Sequence, residues 1–307
     1  MSENLSPPED LTTIRDFIRW AASRFAQAGL SFGHGTDNAL DESRWLVLFA
    51  LHLAWDLPND YLASVLTNEE RLRTAALIER RIRERKPAAY LCGQAMFCGL
   101  NFLVDERVPV PRSPIAELIE QSFDPWLDSS CVTRVLDLGT GSGCIAIACA
   151  LVFPNAVIDA VDLSAPALEV AALNVAKHGL EERVRLIHSD LYARIPEDRQ
   201  YDLIVSNPPY VRRSEWERLA PEYNAEPECG LLGGESGLDC VERILSGAPS
   251  RLTENGILVV EVGSSAQSLL ESYPDLPFVW PDFERGGDGV FLLGADQLPE
   301  LNSEVPI

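Results

Sequence analysis

The chain has 307 residues, is 46% apolar, and carries 25 basic against 47 acidic residues for a net charge of −22. That length and apolar content allow two domains with a real core, while the charge disfavours unassisted, sequence-specific binding to nucleic acid, whose phosphates call for Lys and Arg. Seven cysteines with no CxxC pair argue for reduced thiols and against a metal site, and with neither a leader-like start nor an apolar run of membrane length the expected compartment is the cytoplasm, with no membrane partner.

Taken in chain order, residues 1–10 read as a loose acidic tail. Ile14, Phe17, Ile18, Ala21, Ala22 and Phe25 recur at helical spacing, and Gly29 stands where such a helix stops. A second helix is predicted from Asp41 to Leu53. Thr67 and Glu70 form a capping-box pattern ahead of a third helix running through Arg85. Its Arg71, Arg73, Arg80, Arg81, Arg83, Arg85 and Lys86 read as a solvated helix face rather than a docking surface. Partial alternation over 90–112, around turn signals at Gly99–Asn101 and Asp105-Glu106, predicts a hairpin linker. Pro111 and Pro114 bracket the start of a helix over Ile115–Ser122.

From Val132 onward, strands alternate with helices. Strands are predicted at Arg134–Leu138, Val157–Val161, Val184–His188, Asp202–Ser206 and Gly256–Val262, with a late edge strand at Val290–Leu293. Helices are predicted from Cys144 and over Ala165–His178. This alternation implies a mostly parallel sheet covered on both faces. The expected organisation is a helical domain over 1–89, a β-hairpin linker over 90–112 and an α/β domain over 113–307.

Three motifs carry chemistry. Asp137-Leu138 leads into Gly139-Thr140-Gly141-Ser142-Gly143, between a strand and a helix. Glycines at alternate positions permit a sharp turn and close approach of a ligand. Cys144 stands where a dinucleotide loop needs its third glycine, so a nucleoside-plus-amino-acid cofactor fits better than a pyrophosphate. Asp162 ends the next strand, where an acid can accept both ribose hydroxyls. Asp190, followed by Leu191, ends the third strand and is placed for an adenine amino group. Finally, Asn207-Pro208-Pro209-Tyr210 tips the fourth strand. The prolines stiffen this loop and remove two N–H donors. The Asn207 side-chain oxygen and the Pro208 carbonyl can together hold both hydrogens of one planar –NH₂, orienting its nitrogen toward a methyl donor. Tyr210 can stack on such a planar group.

Together with Pro111-Arg112, Glu226-Pro227 and Gly233-Gly234-x-x-Gly237-Leu238, these motifs resemble the HemK-type protein-glutamine methyltransferases over nearly the whole chain. The resemblance implies a Rossmann-like S-adenosylmethionine-dependent methyltransferase fold with a smaller N-terminal helical domain for substrate recognition. It implies that residues 139–143 cradle the methionine end of the cofactor, that Asp162 takes the ribose, that Asp190 and Leu191 border the adenine, and that residues 207–210 grip a glutamine amide, with Asn207 between cofactor and substrate. Gly33-His34-Gly35-Thr36-Asp37-Asn38, Phe97-Cys98-Gly99, the run from Val108 to Ile115 and the run from Gly286 to Phe291 resemble the branch acting on the third large-subunit ribosomal protein. The expected partner is therefore a basic ribosomal protein, free or in an assembling subunit. The uneven charge agrees: residues 1–110 hold 12 basic and 15 acidic residues, and residues 111–307 hold 13 and 32. The alternatives are the same chemistry on a peptide release factor, and an amino methyltransferase acting on nucleic acid, against which the charge weighs. Nothing in the sequence sets the oligomeric state.

Overall fold

The computed structural model describes residues 7–298. They form two compact units. One holds the residues up to Ala95 together with Ala220–Ala225; the other holds Met96–Leu219 and the residues from Glu226 onward.

The first unit is built on α1 (Ile14–Gln27), α2 (Ala39–Ala50), α3 (Asn68–Glu84) and the short α4 (Ala88–Cys92). The Thr13 side chain caps α1 and Thr67 caps α3, each in a reciprocal capping box. Helix α2 starts two residues before the expected Asp41, because the Asn38 side chain accepts from Leu40 N and Asp41 N and so defines the N-terminus there. Phe17, Phe25, Leu46, Leu48 and Ile78 fill the core. Of the acidic tail, residues 1–6 lie outside the described residues; the Pro8 and Glu9 carbonyls accept from Arg71 Nη2 at 2.9 and 3.2 Å.

The arginine run of α3 is not uniformly solvated. Arg81 is fully buried. Its Nε donates to Glu42 Oε1 at 2.7 Å, its Nη2 donates to the Ser31 carbonyl at 3.0 Å, and its Nη1 lies 3.6 Å from Glu222. Arg85 pairs with the same Glu222 at 3.0 Å. Two buried carboxylates, one of them far away in sequence, reverse the usual preference of Arg for water. The alternation read across 90–112 forms strands only at β1 (Gln94–Phe97) and β2 (Leu100–Leu103), which pair as a hairpin. Cys98 (φ 48°) and Gly99 (φ 70°) make its two-residue turn, with the positive φ at both positions that a tight hairpin of matching twist requires.

The second unit is an α/β layer structure. Its strands are β3 (Arg134–Leu138), β4 (Val157–Asp162), β5 (Val184–His188), β6 (Tyr201–Ser206), β7 (Leu252–Glu261) and β8 (Val290–Gly294). Their order is β5-β4-β3-β6-β7-β8, all parallel except β8, which runs antiparallel to β7 at the edge. The helices are α5 (Ile115–Glu120), α6 (Cys144–Val152), α7 (Ala165–Lys177), α8 (Arg213–Trp216), α9 (Asp239–Gly247) and α10 (Ala266–Ser272). Strand side chains alternate between two cores. Val135, Leu203, Val205 and Val259 pack with α5 and α6; Leu136, Leu138, Ile204, Leu258 and Val260 pack with Val241, Ile244 and Leu245 of α9. The chain winds outward from β3 through β4 to β5, then returns to place β6 on the other side of β3. Ligands bind at the carboxyl ends of the strands flanking such a reversal. Leu138 is in register with Ser206, so the glycine loop and Asn207 leave the sheet side by side.

Candidate active site

Gly139, Gly141 and Gly143 all have positive φ, of 74°, 55° and 81°. The reason is plainest at Gly143, the N-cap of α6, where a Cβ would also sit 3.4 Å from Ala171 Cβ. Gly139 N and Thr140 N both donate to the Val161 carbonyl, at 2.8 and 2.9 Å, which anchors the loop to the end of β4. Beneath it lies Asp137, fully buried, its Oδ2 accepting from Thr140 Oγ1 at 2.6 Å and from Ala146 N at 3.1 Å. Its Oδ1 has no hydrogen-bond partner among the described residues. Burial pushes the Asp137 carboxyl up to about 7.

Asp162 is brought directly onto this loop. Its Oδ2 accepts from Gly141 N and its Oδ1 from Ser164 N, both at 2.8 Å. Burial raises this carboxyl, and those two N–H donors oppose the rise. Each carboxylate oxygen keeps a further lone pair, so a pinned acid with acceptor capacity stands at the carboxyl end of β4. Asp190 is placed differently. It follows Ser189 at the end of β5, and its carboxylate pairs with Arg243 of α9 at 2.9 Å, largely in solvent. Leu191 adopts φ 45°, a left-handed conformation held by Ser189, whose Oγ donates to the Leu191 carbonyl at 3.0 Å and accepts from Arg194 N at 2.9 Å. Residues 137–143 contain no basic side chain. Carboxylates ending β3 and β4, a third just beyond β5, and one buried oxygen left open suit a cation-bearing nucleoside with an amino-acid end and ill suit a pyrophosphate.

At the neighbouring strand end, Asn207 Nδ2 donates to the Arg112 carbonyl at 3.4 Å. With the nitrogen so engaged, Oδ1 is the acceptor that this amide has left to offer. The Pro209 carbonyl lies against Gly233: it would stand 2.6 Å from a Cβ there, and Tyr210 Cα would lie at 2.8 Å. No side chain fits there, so Gly233 is the residue that lets 230–238 lie against the prolines. Val211 N donates to the Leu231 carbonyl and Gly233 N to the Val211 carbonyl, both at 2.9 Å. Glu226, buried, accepts from Val110 N and pairs with the Arg112 guanidinium at 2.9 Å, which fixes the segment carrying the Arg112 carbonyl. Pro109 bridges two loops, its Cδ lying 3.9 Å from a Cβ at Gly141 and its Cγ 2.5 Å from one at Gly230.

Tyr210 is tethered by its hydroxyl rather than left to swing. Its Oη donates to Glu261 Oε1 at 2.8 Å, and its ring covers Gly263, where a Cβ would come within 2.5 Å of Cε2. Sequence reasoning passed over Asp137, Glu261 and Ser113 as site residues. Asp137 and Glu261 carried the signal used for Asp162, an acid at or near the end of an apolar strand; Ser113 carried none.

Residues 123–221 match the model of the methyltransferase small domain family. The chain is 50% identical over 291 residues to the ribosomal protein uL3 glutamine methyltransferase of Xanthomonas campestris pv. campestris, spanning 94% of each protein. It is 47% identical over 290 residues to the protein of the same description from Francisella tularensis subsp. tularensis, spanning 94% of this chain and 92% of that one. Among solved structures, the hMettl16 catalytic domain, crystallised in complex with the MAT2A 3'UTR hairpin 6, shares the fold with a TM-score of 0.51 at 16% identity, over 78% of this chain and 86% of that one. With half its residues shared across nearly its full length, the chain belongs to the ribosomal protein uL3 glutamine methyltransferase family.

Proposed function

We propose that this protein transfers a methyl group from S-adenosylmethionine to the side-chain amide nitrogen of a glutamine in ribosomal protein uL3. The observation that carries the mechanism is the Asn207 amide, its nitrogen held by the Arg112 carbonyl and its oxygen left to accept, one residue beyond the register partner of Leu138. When bound, S-adenosylmethionine supplies a methyl group on a positively charged sulfur. Gly139, Thr140, Gly141, Ser142 and Gly143 would hold its amino-acid end, Asp162 its ribose, and Asp190 with Leu191 would border its adenine.

Asn207 Oδ1 and the Pro208 carbonyl each accept one hydrogen of the glutamine –NH₂. Two acceptors in fixed positions orient the nitrogen for in-line attack, favour its pyramidalisation and stabilise the positive charge that grows on it. Pro208 and Pro209 keep those acceptors from relaxing. Once methylated, the nitrogen carries one hydrogen more than the product amide keeps, and that proton leaves for water. No strong base is required, because the amide need not be deprotonated before attack. Tyr210 walls the substrate side, where its ring can stack on the planar amide. The acidic second half of the sequence suits a basic ribosomal protein, free or within an assembling large subunit, and complementary charge raises the rate of such encounters. The helical unit serves substrate recognition, and the reaction takes place in the cytoplasm.

The test is transfer from labelled S-adenosylmethionine to purified uL3 and, in parallel, to a class-one release factor, with mass spectrometry locating the methyl. One methyl on a glutamine of uL3 is expected. A methyl on the release factor alone would keep the chemistry and reassign the substrate; transfer to neither would remove the reading.

A further inference from the structure

The mechanism above makes no use of Glu261, a buried carboxyl at the end of β7. Val260 is in register with Ser206, so Glu261 stands beside Asn207 on the adjacent strand. Its two oxygens hold two different segments: Oε1 accepts from Tyr210 Oη at 2.8 Å, and Oε2 accepts from Ser113 Oγ at 2.5 Å. Ser113 directly follows Arg112, whose carbonyl holds the Asn207 amide, and Tyr210 closes the Asn207–Tyr210 loop. Asn207, Arg112, Ser113, Glu261 and Tyr210 therefore form a closed frame of covalent and hydrogen-bonded links around the proposed amide clamp. Both hydroxyls donate, and only a carboxylate can accept from both while requiring no donor of its own.

We propose that Glu261 is a positioning residue for methyl transfer: as a carboxylate, it locks Tyr210 to Ser113 and so fixes the Asn207 acceptor against the substrate amide. This inference rests on the methyl-transfer reading. Protonation turns one Glu261 oxygen from acceptor to donor, so the hydroxyl facing it must point its own hydrogen elsewhere, and a charge-assisted link is exchanged for a weaker neutral one. Burial pushes the Glu261 carboxyl up to about 7, with Asp288 adding to the rise. The two hydroxyls and the Arg112 guanidinium pull it back down, and Arg112 is itself paired with Glu226. The closed frame therefore predominates above that value, and kcat rises as pH increases through it.

The experiment compares kcat against pH for the wild-type protein and for Glu261→Gln acting on uL3, with cofactor affinity measured by calorimetry. Gln keeps the shape but places a donor where an acceptor stood. Expected are a fall in kcat of about 10-fold or more, in keeping with small misplacements costing up to ~100-fold, an unchanged affinity for S-adenosylmethionine, and loss of the acidic limb. A structural role alone would lower the unfolding temperature without moving that limb. The infrared difference between wild type and Glu261→Gln, taken as pH falls through neutrality, isolates the Glu261 carboxyl band from that of Asp137, which titrates in the same range in both proteins, and reports the titration without any turnover. An active wild type whose Glu261→Gln variant keeps its kcat, or keeps the same acidic limb, would overturn the inference and leave the methyl-transfer reading standing. A wild type that methylates no protein would remove the reading itself.

Discussion

Replacing Arg81 by Met tests whether charge in the helical unit is held by burial and pairing. Arg81 is fully buried between Glu42, at 2.7 Å, and Glu222, at 3.6 Å, and both carboxylates are themselves buried. Met fills much of the space of the arginine stem but removes the cation. Two acids then remain without that charge in a dry interior, with Arg85 still beside Glu222 at 3.0 Å. Breaking a buried pair from one side costs about 3–5 kcal/mol, a large part of the roughly 5–15 kcal/mol that stabilises a whole domain. At a urea slope of about 1.5 kcal/mol per molar, the midpoint falls by about 2–3 M. The loss depends on pH. Burial already raises the Glu42 carboxyl while Arg81 opposes the rise. In that window the folded state binds more protons than the unfolded one, so stability falls as pH increases through it. Without Arg81 the rise grows, and Arg81→Met loses more at pH 8 than at pH 5. Hydrogen exchange of α2 and α3 peptides in a urea series reads the helical unit directly. Adding Glu42→Gln and Glu222→Gln to Arg81→Met should restore much of the loss, since a neutral interior carries no such penalty. A variant within about 1 kcal/mol of wild type at both pH values would refute the reasoning, because a pair worth so little behaves as an exposed one does.

Asn207→Ala removes one amide acceptor and should lower turnover on uL3 by at least ~100-fold, the scale of losing one preorganised polar contact; near-normal turnover would sink the clamp. Asp162→Ala leaves Gly141 N and Ser164 N without their acceptor and removes the proposed ribose contact, so calorimetry should show weaker cofactor binding with a smaller effect on single-turnover rate at saturation; unchanged affinity would refute the assignment. Gly233→Ala drives a Cβ to 2.6 Å from the Pro209 carbonyl, and because the obstacle is backbone the loop must move: about 1–3 kcal/mol of stability should go with it, together with kcat. Thermal unfolding and turnover both at wild-type values would show that the prolyl loop is softer than its geometry implies.

Much of the α/β unit was legible because its signals are local. The Val157–Asp162 strand is apolar and ends in an acid, and it forms as read. The alternating glycines need positive φ, and they have it. Boundaries slipped where a cap outside the apolar stripe set them, as Asn38 does for α2. Among the α3 arginines the solvated reading holds for Arg73, Arg80 and Arg83 and fails at Arg81, for another reason. Arg73 and Arg81 look alike in the sequence, and what separates them is Glu222, which no helical period can bring into view.

By itself, the sequence determined the strands of the sheet, helices α1 to α3 and α5 to α7, the alternating glycines, the acid that ends β4 and the stiff Asn207 tetrapeptide, since each depends on backbone propensity and short-range spacing. Tertiary structure alone decided which way the Asn207 amide faces, that Asp190 is paired with Arg243, and that Ser113, Tyr210 and Glu261 close one frame. Those outcomes hang on hydrogen bonds between segments 50 to 150 residues apart, and such pairings exist only once the sheet has fixed the order of its strands.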